Sequence, residues 1–252
     1  MGVITFNGVS SSEFHIQVEH LPGYDSPKKD YEIVHVPGRN GDIVIDSGTY
    51  QNVQRKYEIA VTTEVKKPFY IMANDVVNWL RSSSGYARLE DSYEPEFYRK
   101  AFYEDEISVT NILGEAGRAE ITFNCKPQRY LKSGEDIIEI DGSLALVNID
   151  NPTQFDALPF IVIYIDTESN SAYGQIRINN NFIKVSNELG TGISSVTIDS
   201  ELQDAYSGNI NLNNKVSLQK GFPILLPGSN SIYLDEDHPV SKVEVIPRWW
   251  TL

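Results

Sequence analysis

Glu120-Ile121-Thr122-Phe123-Asn124-Cys125 is the stretch on which the fold turns. Ile121, Phe123 and Cys125 alternate with Glu120, Thr122 and Asn124. A period of two puts the three apolar side chains on one face of a pleated strand. Cys125 in this pattern is a small buried apolar group rather than a nucleophile. The alternation recurs upstream, where Tyr57, Ile59 and Val61 alternate with Glu58, Ala60 and Thr62. It recurs downstream, where Ile176 and Ile178 alternate with Gln175 and Arg177. Between such runs stand reversal signals. Tyr31 to Val36 leads into Gly38-Arg39-Asn40-Gly41 and then Asp42 to Ile45. Asn and Gly tolerate positive φ, so a tight turn between two strands is expected there. Gln175 to Asn179 and Phe182 to Val185 flank an Asn-rich turn in the same way.

One segment has another period. Phe69, Met72, Val76, Trp79 and Leu80 line one face of an amphipathic helix. Pro68 suits its first turn and Gly85 its stop, which predicts a helix over about 68–83 with Trp79 packed on a sheet. The strand at 120–125 is expected to end in Lys126-Pro127, with a polar linker near 128–135. This divides the chain into residues 1–132 and 133–252. In the second part strands are expected at 137–140, 160–165, 196–198, 215–218, 231–234 and 241–246. Many short strands separated by polar turns predict a β-sandwich.

Forty per cent of the 252 residues are apolar and 11 % aromatic, enough to build packed cores. Fourteen tyrosines and ten phenylalanines favour half-buried pleated surfaces over helices. The 35 acidic and 21 basic side chains leave a net charge of −14. Nucleic-acid binders need basic patches that displace counterions, and the densest basic run, Lys126, Arg129 and Lys132, falls in the expected linker. An acidic wall would instead let a polyanion slide past. Cys125 is the single cysteine, which excludes an internal disulfide and a cysteine zinc cluster and favours folding in the cytoplasm. The opening Met-Gly-Val-Ile-Thr-Phe lacks the pattern of a signal peptide, and no apolar run is long enough to span a bilayer.

Motifs of catalysis are missing. His15, His20, His35 and His238 have no helical metal-binding spacing, and there is no nucleophile elbow and no phosphate-binding glycine loop. Asp235-Glu236-Asp237-His238 offers oxygens to a hard cation, but no calcium-type loop surrounds it, and a solvated turn between two strands explains it. No catalytic, cofactor or metal residue is assigned. The aromatic run Tyr93, Phe97, Tyr98, Phe102 and Tyr103 fits a core better than a glycan platform.

Five stretches together resemble one family: Phe6-Asn7-Gly8; Val36-Pro37-Gly38-Arg39-Asn40-Gly41-Asp42 with Tyr50; Asn78-Trp79-Leu80 with Gly85-Tyr86 and Leu89; Phe123-Asn124-Cys125-Lys126-Pro127 with Tyr130; and Leu226-Pro227-Gly228-Ser229-Asn230 followed by Val245-Ile246-Pro247-Arg248-Trp249-Trp250. In order and at matching length, they resemble the distal tail proteins (Dit) of long, non-contractile-tailed bacteriophages. The resemblance implies a mainly β chain of two β-sandwich domains, the N-terminal one with a helix and an extended hairpin, the C-terminal one galectin-like. It implies a homo-hexameric ring, single or as two stacked rings. That ring sits at the virion tail tip and is assembled in the host cytoplasm. It joins the tail tube protein to the tail-associated hub protein and the receptor-binding or baseplate proteins, and DNA passes through its channel without specific binding. No enzyme, cofactor or membrane is implied. Gly38, Arg39, Asn40, Gly41 and Tyr50 are the candidates for reaching a neighbouring subunit, against the plainer reading of a surface hairpin. Arg248, Trp249 and Trp250 fit packing of the second sandwich better than a binding site.

Two other functions compete. A glycan-binding adhesion module would also be an aromatic-rich β-sandwich, and a shallow groove with an exposed aromatic would favour it. A hydrolase would need two carboxylates placed across a glycosidic bond, a separation that abundance of acids does not supply. A tail tube protein, or another ring-forming tail component, is the neighbouring alternative within the structural class.

Overall fold

The structure is a computed structural model that describes residues 2–62, 68–106, 110–112, 116–144, 146–166 and 170–252. The chain divides into two compact units, Met1–Arg129 with Leu252, and Tyr130–Thr251.

The first unit contains β1 (Ile4–Phe6), β2 (Val9–Ser10), β3 (Ile16–Val18), β4 (Lys29–Val34), β5 (Ile43–Tyr50) and β6 (Val53–Thr62). Helix α1 (Phe69–Leu80) follows, then β7 (Ala87–Asp91), β8 (Phe97–Phe102), β9 (Thr110–Ile112) and β10 (Ala116–Leu131). The sheet runs β2-β1-β7-β8-β10-β6-β3, and β9 pairs with β10. It rolls on itself: Gly2, just before β1, bridges Val18 of β3 through backbone hydrogen bonds of 3.2 and 2.9 Å. The rolled faces enclose Phe6, Tyr57, Ile59, Val61, Leu89, Ile121, Phe123 and Cys125. Phe6 and Phe123 meet with ring centroids 4.9 Å apart. The two alternating runs read from the sequence are neighbours here, with Ile121 opposite Tyr57 and Ala119 opposite Ile59.

Met72, Val76, Trp79 and Leu80 of α1 are buried, as their spacing predicts. Trp79 stacks on Phe14 at 5.2 Å and its indole N–H donates to the Phe6 carbonyl at 3.3 Å. The ends differ from expectation. Pro68 is the N-cap, with extended ψ, and the helix stops at Leu80, where the Arg81 N–H closes onto Val77 at 3.1 Å. Gly85 lies beyond the helix and has no positive φ, so it does not end it. Strand β10 does not end at Pro127. Its ladder with β6 stops at Cys125, so the missing N–H of Pro127 breaks no bond of that ladder, and the strand continues to Leu131. A 3₁₀ turn, Lys132–Glu135, takes the place of the expected polar linker.

The second unit contains β11 (Ile138–Asp141), β12 (Leu146–Asn151), β13 (Phe160–Ile165), β14 (Tyr173–Ile178), β15 (Asn181–Ser186) and β16 (Ser195–Asp199). Then come β17 (Asp204–Ser207), β18 (Ile210–Asn211), β19 (Val216–Leu218), β20 (Gly228–Leu234), β21 (Val240–Ile246) and β22 (Trp250–Thr251). One sheet runs β11-β21-β13-β16-β17-β18 and the other β12-β20-β14-β15-β19. Their inner faces share one core, with Ile161, Ile163, Val196, Ile198, Val243 and Val245 from the first sheet. Ile176, Ile178, Ile183, Val185, Ile232 and Leu234 come from the second. The chain is mainly β, in several sheets, as the alternation predicts.

Candidate assembly interface

Strands β4 and β5 form a sheet of their own, paired to nothing else among the described residues. The register sets Tyr31 opposite Asp46, Glu32 opposite Ile45, Ile33 opposite Val44 and Val34 opposite Ile43. Side chains alternate across a ribbon, so Tyr31, Ile33 and Val44 share one face and Val34, Ile43 and Ile45 the other. Tyr31 is 50 % exposed, Ile33 65 % and Val44 58 %. On the other face Ile43 and Ile45 are also exposed. The ribbon is therefore apolar on both sides and open along both edges. An isolated two-stranded ribbon is at best marginally stable in water.

Polar groups tie the ribbon together. Lys29 pairs with Asp46, whose other oxygen accepts from the Gly48 N–H at 2.8 Å. The hydrogen bond from Lys29 and the cap by Gly48 hold the Asp46 carboxyl below its ordinary range, and Asp46 holds the Lys29 ammonium above its own. Asp30 accepts from Thr49 at 3.0 Å and from Gln51 at 2.7 Å. His35 and Asp42 close the tip at 3.0 Å.

The tip is an eight-residue loop, 35–42, and not a tight turn. Gly38 and Gly41 carry the positive φ values, +82° and +78°, while Asn40 does not. Gly38, Arg39, Asn40 and Gly41 are thus together and exposed. Tyr50 is at the far end of β5, seven residues from Ile43, or roughly 23 Å along an extended strand. The five candidates do not form one site. Sequence reasoning passed over the ribbon's apolar faces. The signal was Ile43-Val44-Ile45, three apolar residues in a row where a half-buried strand would alternate.

The base of the ribbon is held by charges in the interior. Arg55 and Asp91 lie 3.1 Å apart with side chains only 3 % and 4 % exposed. Tyr57 donates to the same Asp91 oxygen at 2.8 Å, and burial with Asp91 nearby pushes that phenol well above its ordinary range. Arg55 also donates to the Gly23 carbonyl at 2.6 Å, which pins the segment entering β4. Arg129 lies over the rings of Tyr24 and Phe97, both at 5.0 Å.

The closing motifs are structural. Arg248 forks onto Asp199 at 2.7 and 2.9 Å. Trp249 is buried, and Trp250 stacks on Phe155 at 4.5 Å and donates to the Asp156 carbonyl at 2.9 Å. Asn230 is fully buried and satisfied: its amide donates to Leu226 and Gly228, and its oxygen accepts from the Leu226 N–H and from Asn179. The acidic turn is spoken for as well. Asp235 caps the N–H groups of Asp237 and His238, and His238 binds Ser171 at 2.7 Å and Tyr173 at 3.0 Å. Among the described residues no three acidic, His or Cys side chains converge on a metal position, and no helix is long and apolar enough to cross a membrane.

No protein-family model and no curated protein matches the chain. Solved structures do. The crystal structure of the SPP1 Dit protein, gp 19.1, superimposes over 100 % of both chains with a TM-score of 0.72 at 13 % identity. That protein is described as a paradigm of the hub adsorption apparatus of phages infecting Gram-positive bacteria. The chain has the fold of a distal tail protein. Components of the phage p2 baseplate in its activated conformation, with Sr and with Ca, match 97 % of this chain and 96 % of theirs. Their TM-scores are 0.53, at 13 and 14 % identity. The fold likeness to Dit runs through the β-rich units on both sides of residue 129.

Proposed function

We propose that this chain is a structural subunit of a phage tail tip. Six copies close into a ring that joins the tail tube to the hub and the receptor-binding apparatus, and DNA passes through the central channel. The subunit contact is head to tail and closes by rotation, either as one ring or as two rings stacked. The subunits fold and assemble in the host cytoplasm and end at the virion tail tip. The role needs no turnover and no cofactor. Adding the pure protein to a cell-wall suspension is expected to leave its turbidity unchanged.

The observation that carries this reading is the β4–β5 ribbon. The pair of strands leaves apolar side chains exposed on both faces and, among the described residues, pairs with no other strand. Exposed apolar surface of this kind marks an interaction site. Covering each of the five exposed side chains contributes on the order of 1 kcal/mol, since they are about half exposed already. A ribbon with two apolar faces suits a place between two layers, as an arm reaching over a neighbouring copy has. Arg39 and Asn40 at its tip are then the residues that reach furthest. The full-length likeness to a protein of a hub adsorption apparatus agrees with it.

The test is mass by light scattering after size exclusion, over a concentration series. Six chains of 28.4 kDa give about 170 kDa, and a double ring twice that. Ile33→Lys with Val44→Lys places two charges on one face of the ribbon and is expected to leave a folded monomer. If the substituted chain assembles like the parent, the ribbon is not the contact. If the parent stays a monomer at every concentration, even with the purified hub protein, there is no ring.

A further inference from the structure

The outer face of the sheet β12-β20-β14-β15-β19 carries a shallow groove of about 410 Å³, walled by Gln175, Phe182, Lys184, Ser217 and Gln219. The inward neighbours on these strands, Ile176, Ile178, Ile183 and Val185, fill the core, so Gln175, Arg177, Phe182 and Lys184 face out. The register lays two rows across the sheet. Gln175, Lys184 and Ser217 make one, and Tyr233, Arg177 and Phe182 the next.

Two cations on this face have no carboxylate partner among the described residues, in a chain that carries fourteen more acids than bases. The Arg177 guanidinium lies between rings, 4.8 Å from Tyr233 and 5.7 Å from Phe182. Its Nε is shielded from solvent and unbonded. The Lys184 ammonium lies 4.6 Å from the Tyr173 ring and 3.3 Å from its hydroxyl. Tyr173 is itself held by His238, and His238 by Ser171, so Lys184 rests on a fixed support. The nearby carboxylate, Asp235, is turned to the Gln175 amide and to backbone N–H groups. Gln175 lines the groove from a largely buried position, and Phe182 and Tyr233 remain 36 % exposed.

We propose that this groove binds an acidic saccharide. A sugar ring has an apolar C–H face that lies on an exposed aromatic, here Phe182, and hydroxyls that bridge to amides and hydroxyls, here Gln175, Gln219 and Ser217. Its carboxylate or phosphate reaches Lys184 and Arg177, where charge-assisted hydrogen bonds are strong. A neutral sugar would leave both cations without purpose, and a bare anion would leave Phe182 without one. A nucleic acid is disfavoured by the net charge of the chain. The site is independent of ring formation, because all its residues belong to one copy.

The experiment is a glycan array carrying uronate-bearing and phosphate-bearing oligosaccharides beside their neutral counterparts, followed by calorimetry on the strongest ligand. The array separates the two sources of negative charge. Acidic oligosaccharides are expected to bind at least about tenfold better than neutral ones. Lys184→Gln and Phe182→Ala are each expected to weaken binding about tenfold, with unchanged melting temperature, and Lys242→Gln on the other sheet to change nothing. Equal binding of neutral sugars overturns the assignment. So does full displacement by inorganic phosphate at the saccharide's own concentration, or no retention of any acidic glycan at concentrations on the order of 10 mM.

Discussion

Arg55 is a charge that the first unit cannot lose cheaply. Its partner Asp91 also caps the N–H groups of Tyr93 and Glu94, so one carboxylate organises a turn and neutralises a buried guanidinium. Removing one member of a buried pair strands the other. Arg55→Met is expected to cost about 3–5 kcal/mol in urea unfolding, and to free the segment around Gly23. The Arg248–Asp199 fork sets a pH dependence. Burial alone would raise the Asp199 carboxyl, but the Arg248 fork and the N–H groups of Leu202 and Glu201 outweigh it and hold the carboxyl below its ordinary range. The folded value is then lower than the unfolded one. The contribution is complete above the unfolded pKa of about 3.9 and is lost as pH falls through the folded value. Asp199→Asn is expected to lower stability at pH 7 and to flatten the loss as pH falls below about 3.9, followed by chemical unfolding at each pH. Arg248 sits at φ +60°, a conformation that costs a non-glycine residue of order 1 kcal/mol, and the fork holds it there. Cys125 was legible at this scale, because alternation alone buries it. Burial pushes its thiol up to about 12. A thiol reagent is expected to leave the native protein unlabelled and to react once it is unfolded, and fast labelling of the native form would contradict the burial.

At the scale of elements, the reading from sequence succeeded where side chains declare a period. The strands at 57–61, 121–125 and 176–178 and the buried stripe of α1 are of this kind. It failed where a backbone contact far along the chain decides. Nothing local announces that Gly2 bridges Val18, or that Pro127 lies just past the end of a ladder. A legible turn signal was passed over: Asn7 and Gly8 both have positive φ between paired Phe6 and Val9, the pattern an Asn-Gly hairpin prefers. Of the candidate interface, the tip could be read from its glycines, but the apolar faces could not be told from a core strand until the structure placed Tyr31, Ile33, Ile43, Val44 and Ile45 at the surface. Gly142 shows the limit most sharply. Its N–H donates to the Ser241 carbonyl at 3.0 Å, and a methyl group there would lie 2.0 Å from the Val240 carbonyl oxygen. Backbone cannot step aside as a side chain can. Gly142→Ala is expected to destabilise the second unit by about 1–3 kcal/mol and to lower its melting temperature, while the first unit's transition stays in place.

At the scale of the whole molecule, charge and assembly pull against each other. Each copy carries −14, and the proposed ring of six would concentrate that charge. Salt screens it over about 10 Å at 0.1 M. Ring formation is therefore expected to strengthen as salt rises from about 0.02 to 0.3 M, the opposite of an interface held by ion pairs, and mass measured across that series checks it. The ribbon has a further consequence for the newly made chain. Until a neighbour covers it, two strands with apolar faces and unsatisfied edges are a template on which any other extended segment can add, and the additions need not close. Fresh subunits thus race between correct capture and open-ended stacking. The faster supply outruns closure of the proposed ring, the more material ends as insoluble fibres, so slow, cool expression should yield more soluble protein than rapid expression.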